Sequence, residues 1–447
     1  MRTVLLLLAA IQCCVCAGWQ AGSAVVDITP TEPIWLAGYV SRTKPSESVR
    51  QPIHAKALAL KYDSGATSVI VTIDVVGIRR EMTELIAQRA ATELHIPRER
   101  ILFNVSHTHS APVVHDAIMY ERSMGPYAKA QMLAVARYDE MLPQRLYSAI
   151  SGAVGNLKPA SLYFGQGFAG FAVNRRRVTH REYPGLVDPD VPVLAVRGQD
   201  GGVVAVVFGY ACHNTVMDDY TVHGDYAGYA QSYLQQKFPG AVALFIMGAG
   251  ADANPLPRRN AVLLERYGGA LADAVEDVVR GAMTRVDGPL DAVIAFPELK
   301  FEGPFTRDRW IAETKSSEPL ESEHGRIMLR LMDAGQDIPQ SRLYTVQIWQ
   351  FGRAMTLIAL AGELTVDYAL KFKSRYGWDT TWVAGYSNDV FGYVPSVRVW
   401  KEGGYEGGES FRFTTFPGRL TADVEDRITA AVEQGVAQLR RVSQGQP

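Results

Sequence analysis

Cysteine is scarce in this chain. Its 447 residues contain four, and Cys13, Cys14 and Cys16 crowd the N-terminus, leaving Cys212 alone in the rest. One thiol cannot form an internal disulfide, so stability has to come from a packed core. Any metal site has to use imidazole and oxygen donors rather than paired thiolates. An excess of one charge is also lacking: 45 Lys and Arg stand against 47 Asp and Glu, a net charge of −2. That balance excludes the broad basic surface that nucleic acid or an anionic membrane would require. Long hydrophobic runs are missing too. The longest early one, residues 4–11, is too short to cross a bilayer. With Arg2 before it, and Val15 and Ala17 at the small-residue end, it reads as a secretory signal over residues 1–17, cleaved before Gly18. The same residues fit a buried N-terminal strand or helix less well. The expectation is an exported protein, secreted or periplasmic, with no transmembrane segment.

The remainder reads as a mixed α/β chain. "HAKALALKY" (54–62) alternates as a half-buried strand does, whereas "SVIVTIDVV" (68–76) is a continuous apolar run, as in a strand covered on both faces. A helical stripe over 81–94 follows, then "RILFNVS" (100–106). The strand–helix–strand theme recurs with "VVAVVFGYA" (203–211), a helix over 227–237, "AVALFIMG" (241–248) and a helix over 261–281. This order predicts largely parallel sheets flanked by helices. "LYTVQIWQFG" and "MTLIALAG" predict an antiparallel hairpin around Gly352 and Arg353. A last helix is expected over about 421–440. The charged stretch 299–342 reads as a helical insertion or lid within a single catalytic domain, 18–447.

Polar residues gather where apolar strands end: "VTID", "NVSHTH", "GYACHN", "IMGAGADANP" and "LAGE". In open α/β sheets ligands bind at the carboxyl ends of strands, so these five ends predict one assembled site. Five unrelated polar loop starts would look the same in sequence. In "ILFNVSHTHSAPVVHD" (101–116), three of the nine histidines fall together. On a strand, His107 and His109 at i and i+2 would point the same way. That suits one metal, or one metal plus one catalytic group; a hydrogen-bonded loop pair is the plain alternative.

"NVSHTHSAP" resembles the "THTHSGPGG"-like segment of the neutral/alkaline non-lysosomal ceramidase family. Seven further segments are similar to that family's, in the same order: "VVDITPTEPIWLAGY", "NRRR", "GYACHNTVM", "HGDYAGYA", "GADANP", "AGELT" and "AGYSNDVFGYVPS". The resemblance implies an α/β catalytic domain around one Zn2+, and hydrolysis of the amide bond of ceramide or a related N-acyl amine. It makes His107, His213, Glu363 and Tyr393 the metal ligands. His109 and Arg175 would stabilise the carbonyl oxygen, and Asp252 would take a proton from water and pass it to the leaving amine. Residues alone leave other readings open: Arg175 fits a solvated loop in its run of three arginines, and Asp252 fits a turn cap. His115 and Asp116 read as a loop over the pocket, and Asp74 as a group orienting a ligand.

Two departures bear on substrate. Where the family motif "GDVSP" has serine, this chain has Asn254, which donates hydrogen bonds but is no nucleophile. The chain also ends too soon for the family's C-terminal β-sandwich. Expected partners are therefore a lipid or small N-acyl amine, with peripheral lipid contact and no nucleic acid. A different soluble amide or ester, or a silent binding protein of the same fold, are the alternatives.

Overall fold

Alternation in the strand His54–Tyr62 sends Ala55, Ala57 and Ala59 to one side and Leu58 and Leu60 to the other, and both sides are buried. The strand is covered twice over rather than half-buried. Even Lys56 is buried, its Nζ donating to Ala243 O (2.9 Å) and Gln235 Oε1 (3.2 Å). A computed structural model describes residues 18–443 apart from 64 and 116. The segment read as a secretory signal, 1–17, and the loop residue Asp116 lie outside the described residues.

The main sheet runs in the spatial order Val242–Met247, Val203–Tyr210, Asp190–Gly198, Lys158–Phe168, Trp19–Asp27, His54–Tyr62, Ser68–Ile73, Ile101–Val105, with Thr284–Arg285 added beside Lys158–Phe168. Helices Arg80–Leu94, Ala128–Gly155, Asp225–Lys237 and Val262–Arg280 cover one face through Ile86, Leu146, Leu234 and Leu271. Against the other face packs a smaller sheet, Leu290–Ala295, Val346–Phe351, Met355–Leu360 and Thr381–Ala384, through Trp349, Phe351, Leu357 and Trp382. The helices Asp367–Tyr376 and Val424–Ser443 close its far side with Phe372, Ile428 and Val432. The layers are thus helix, sheet, sheet, helix, and each sheet is covered on both faces.

The mixed α/β class expected from sequence holds, but the largely parallel character does not. Only the pairs 68–73/101–105 and 203–210/242–247 of the main sheet are parallel, one at each edge. The five pairings between them are antiparallel. Continuous apolar runs arose because both sheet faces are covered, a condition parallel sheets share but do not own. The predicted hairpin is present, Val346–Phe351 against Met355–Leu360. Within 299–342 lie the helices Arg307–Glu313 and Pro319–Asp333, with Glu298–Lys300 and Ser341–Leu343 pairing at its base.

The two parallel edges are drawn together. Asn104, fully buried, receives the Met247 N–H (2.8 Å) and donates to Gly385 O (2.7 Å). One side chain thereby ties the ends of two edge strands to the segment leaving the second sheet.

Candidate active site

The backbone turns sharply after Val105, and His107 adopts φ +58°. His107 and His109 are therefore on a turn, not on a strand as their spacing suggested, and strand alternation is not what aligns them. They meet nonetheless, Nε2 to Nε2 at 3.2 Å. Asn214 fixes this turn to the neighbouring strand end, accepting from His109 N–H (3.2 Å) and donating to Ser106 O (2.6 Å). Gly38, at φ +89°, leaves room for the His109 ring: a Cβ there would sit 2.3 Å from His109 Cγ. Tyr39 closes the ring from another side at 4.9 Å between centroids.

His213 follows the strand Val203–Tyr210 and is fully buried. Glu363 and Tyr393 are direct partners in a short parallel pair, Glu363–Leu364 beside Tyr393–Val394. That register brings together residues thirty positions apart in sequence. Glu363 Oε2 then lies 3.3 Å from Nε2 of both His107 and His213. Tyr393 Oη is 3.4 Å from His213 Nε2.

The donor chemistry of this cluster is one-sided. His107 Nδ1 is 2.5 Å from Val76 O, and His213 Nδ1 is 2.8 Å from Gly250 O. A carbonyl oxygen only accepts, so each Nδ1 carries a proton and each Nε2 is the atom turned toward the cluster. Burial, then the Arg175 charge, lowers His213 to about 4, so it is neutral at pH 7. Burial and the adjacent imidazoles hold His109 well below the ordinary value. Burial pushes Glu363 up, but the histidine contacts outweigh it and its carboxyl stays well below the usual range. The Nε2 atoms of two imidazoles thus converge on an ionised carboxylate in a dry site. Two imidazole nitrogens, a carboxylate and a phenol oxygen, with no thiolate, make a donor set that fits a divalent cation. The ligand atoms of His107, His109 and His213 all lie within 4.8 Å of one another.

Arg175 bridges this cluster to its surroundings. Its Nη2 donates to Tyr393 Oη (2.8 Å) and its Nε to Glu406 Oε1 (2.6 Å). It is a partly buried, paired cation rather than a solvated loop residue, and its phenol and carboxylate partners hold it protonated despite burial. Asp252 is also buried. Its Oδ1 accepts from Val366 N–H (3.0 Å) and its Oδ2 from Asn174 Nδ2 (2.9 Å), while its carbonyl takes the Arg175 N–H (2.7 Å). Burial raises its carboxyl to about 6. Asn254 accepts from Thr215 Oγ1 at 3.3 Å. His115 turns away to Asp139, and Asp74 accepts from His54 N–H and Gln231 rather than from a histidine of the cluster.

A cavity of about 310 Å3 opens onto His107, His109, Glu363 and Tyr393. Its walls are mostly apolar: Val76, Ile78, Val113, Val114, Met119, Val390, Phe391 and Phe413. Sequence reasoning passed over Tyr386, whose Oη donates to Glu363 Oε2 (3.4 Å) and whose ring packs on His107 at 4.6 Å. Its signal was available, as the first tyrosine of "AGYSNDVFGYVPS". Glu406 was also missed; its partner Arg175 is 231 positions away, and no local pattern marks it.

The family model described as neutral/alkaline non-lysosomal ceramidase, N-terminal, matches residues 19–249. Among solved structures, neutral ceramidase from Pseudomonas aeruginosa is similar at 18% identity and a TM-score of 0.73, over 96% of this chain and 75% of that one. A ceramidase complexed with C2 is similar at 17% identity and a TM-score of 0.71, over 94% and 76%. At such identities the likeness speaks for the fold. No curated protein matches the chain.

Proposed function

Because the chain belongs to the neutral/alkaline non-lysosomal ceramidase family, we propose that it is an exported, zinc-dependent amidohydrolase that cleaves ceramide or a related N-acyl amine. The observation that carries this reading is the convergence of the His107 and His213 Nε2 atoms on Glu363 at the end of an apolar cavity. His107, His213, Glu363 and Tyr393 would hold the ion. A zinc ion there would supply a Lewis acid and make water nucleophilic near neutral pH.

The protein's own groups do the rest. The apolar walls take the acyl chain and exclude water from the amide. His109, neutral and in the cavity wall, would offer a ring N–H to the acyl oxygen. Arg175 adds a permanent positive charge on the same side, next to the Tyr393 hydroxyl, where negative charge develops. Asp252, raised to about 6, is ionised for most of the time at pH 7 and near enough in pKa to give the proton back to the amine. Asn254 stands where the family has a serine and serves as a hydrogen-bonding group. For export, the support is the order of charge, apolar core and small residues in 1–17; among the described residues no helix is long and apolar enough to cross a membrane.

The test is amine release from a fluorescent short-chain ceramide by the chain from Gly18 onward. Release that is abolished by a chelator and restored by zinc is the expected result. Undiminished release after complete metal removal, or none in the zinc-loaded protein on any N-acyl amine, would overturn the reading.

A further inference from the structure

A second cavity, of about 710 Å3, has Arg175 in its wall. Tyr405 lines both. The wall of this cavity carries Arg175, Arg176, Asn254 and Arg258. Two of these guanidinium groups already have carboxylate partners. Arg175 is bonded to Glu406, and Arg176 to Glu406 (2.8 Å) and Glu402 (3.0 Å). The neighbouring Arg259 is spent as well, on Asp218 (3.1 Å) and Tyr39 Oη (3.2 Å).

Arg258 is different. It is partly buried, yet among the described residues it has no hydrogen bond and no ion pair. Burial, then the like charge of Arg259, lowers it from the ordinary arginine value, with Tyr39 and Asp218 opposing only in part. Beside it, Asn254 spends only its Oδ1, on Thr215, so its amide N–H groups have no partner among the described residues. The carboxylate of Glu409 also reaches this cavity, but from its solvent-exposed rim. An unpaired guanidinium and a free amide N–H2 facing one space next to the reacting centre make a receptor for a carboxylate.

We propose that the amine half of the substrate bears a carboxylate, so that this chain prefers N-acyl amino acids to neutral N-acyl amino alcohols. Arg258 is the counter-ion and Asn254 the second donor. The inference rests on the amidohydrolase reading above and sharpens its substrate class. The acyl chain occupies the apolar cavity and the amino acid the polar one. Water oxygen adds to the acyl carbon, the C–N bond breaks, and the amine leaves with the proton, giving a fatty acid and an amino acid. It also gives Asn254 a purpose at a position where a ceramide-cleaving relative has a hydroxyl.

The experiment compares N-dodecanoylglycine with N-dodecanoylethanolamine, which share an acyl chain and differ in a carboxylate against a hydroxymethyl group. For the zinc-loaded protein, kcat/KM should favour the glycine conjugate by about tenfold or more. Arg258→Ala should lower that ratio about tenfold, mainly through KM, and Arg258→Lys should keep part of it. Asn254→Asp, which faces the substrate carboxylate with a like charge, should lower the ratio further. A ratio near one in the unaltered protein, or one that survives Arg258→Ala, would overturn the proposal. If neither amide is cleaved, the amidohydrolase reading fails on its own, and calorimetric titration with the same two compounds still decides this one. Binding about tenfold tighter for the glycine conjugate supports it, and equal binding refutes it.

Discussion

His107 and His109 are two residues apart and their Nε2 atoms touch, yet their rings are held differently. His107 is fixed by a hydrogen bond from Nδ1 to Val76 O, as metal-bound imidazoles commonly are, whereas His109 Nδ1 is buried with no partner. The ring of His109 is positioned by packing against Gly38 and Tyr39. His107→Ala should therefore lose zinc and activity together. His109→Ala should retain about one zinc per chain while activity falls on the order of a hundredfold or more. Zinc content by elemental analysis checks this, and equal zinc loss in both variants would make His109 a third nitrogen ligand. Asp252 permits a similar separation. If its carboxyl carries the proton, kcat/KM should fall as pH drops through about 6, because the active form is the ionised one. Asp252→Asn should then abolish that limb and slow turnover about 10²–10⁴-fold. A limb that persists in the variant would leave Asp252 as a brace holding Asn174 and Val366 only.

At the scale of elements, the site depends on a loop braced from a distance. Residues 386–394 carry Tyr386 and Tyr393, and Asp389 within them is fully buried. Its partner is Arg342, on the strand Ser341–Leu343 at the end of the charged stretch, which also stacks on Phe391 at 3.7 Å. Arg342→Ala would leave a carboxyl buried without its counter-charge, at a cost of about 3–5 kcal/mol. Burial already raises Asp389, with Arg342 opposing it. A carboxyl raised in the folded state favours folding while protonated and loses that contribution as pH rises through its folded value. The variant's deficit, read from urea melts, should thus be larger near pH 7 than near pH 5, and zinc affinity should fall with it. A pH-independent deficit with normal zinc binding would show that Arg342 merely packs. Elements with strong periodicity were legible in sequence: the strands at 68–73 and 203–210, the hairpin across Gly352, and the helix Val262–Arg280. The helix Ala128–Gly155 was not, since it has no side-chain cap and contains Pro143. Strand direction was also hidden, because burial on both faces gives parallel and antiparallel strands the same apolar run.

Across the whole molecule, the four prospective ligands divide between the layers. His107 and His213 stand at strand ends of the main sheet, while Glu363 and Tyr393 follow strands of the smaller sheet. The clustering of histidines and acids at the ends of apolar runs was readable in the sequence. The meeting of the two sheets was not, since it depends on Asn104 bonding to Met247 and Gly385 across 143 and 281 positions. A metal ion bound at this junction would cross-link the two sheets and neutralise the buried Glu363 charge. It binds the folded chain only, so at a free concentration a hundredfold above its Kd it should add about 2.7 kcal/mol of stability. Chelation should lower Tm accordingly. The loss should also be local: hydrogen exchange should speed up at 361–364 and 386–394 and at the 106–109 turn, while the helices covering the outer face keep their protection. Uniform acceleration across both sheets would mean that the ion holds up the fold as a whole. No change at all would mean that packing between the sheets already fixes the ligands, and that the cation is needed for chemistry alone.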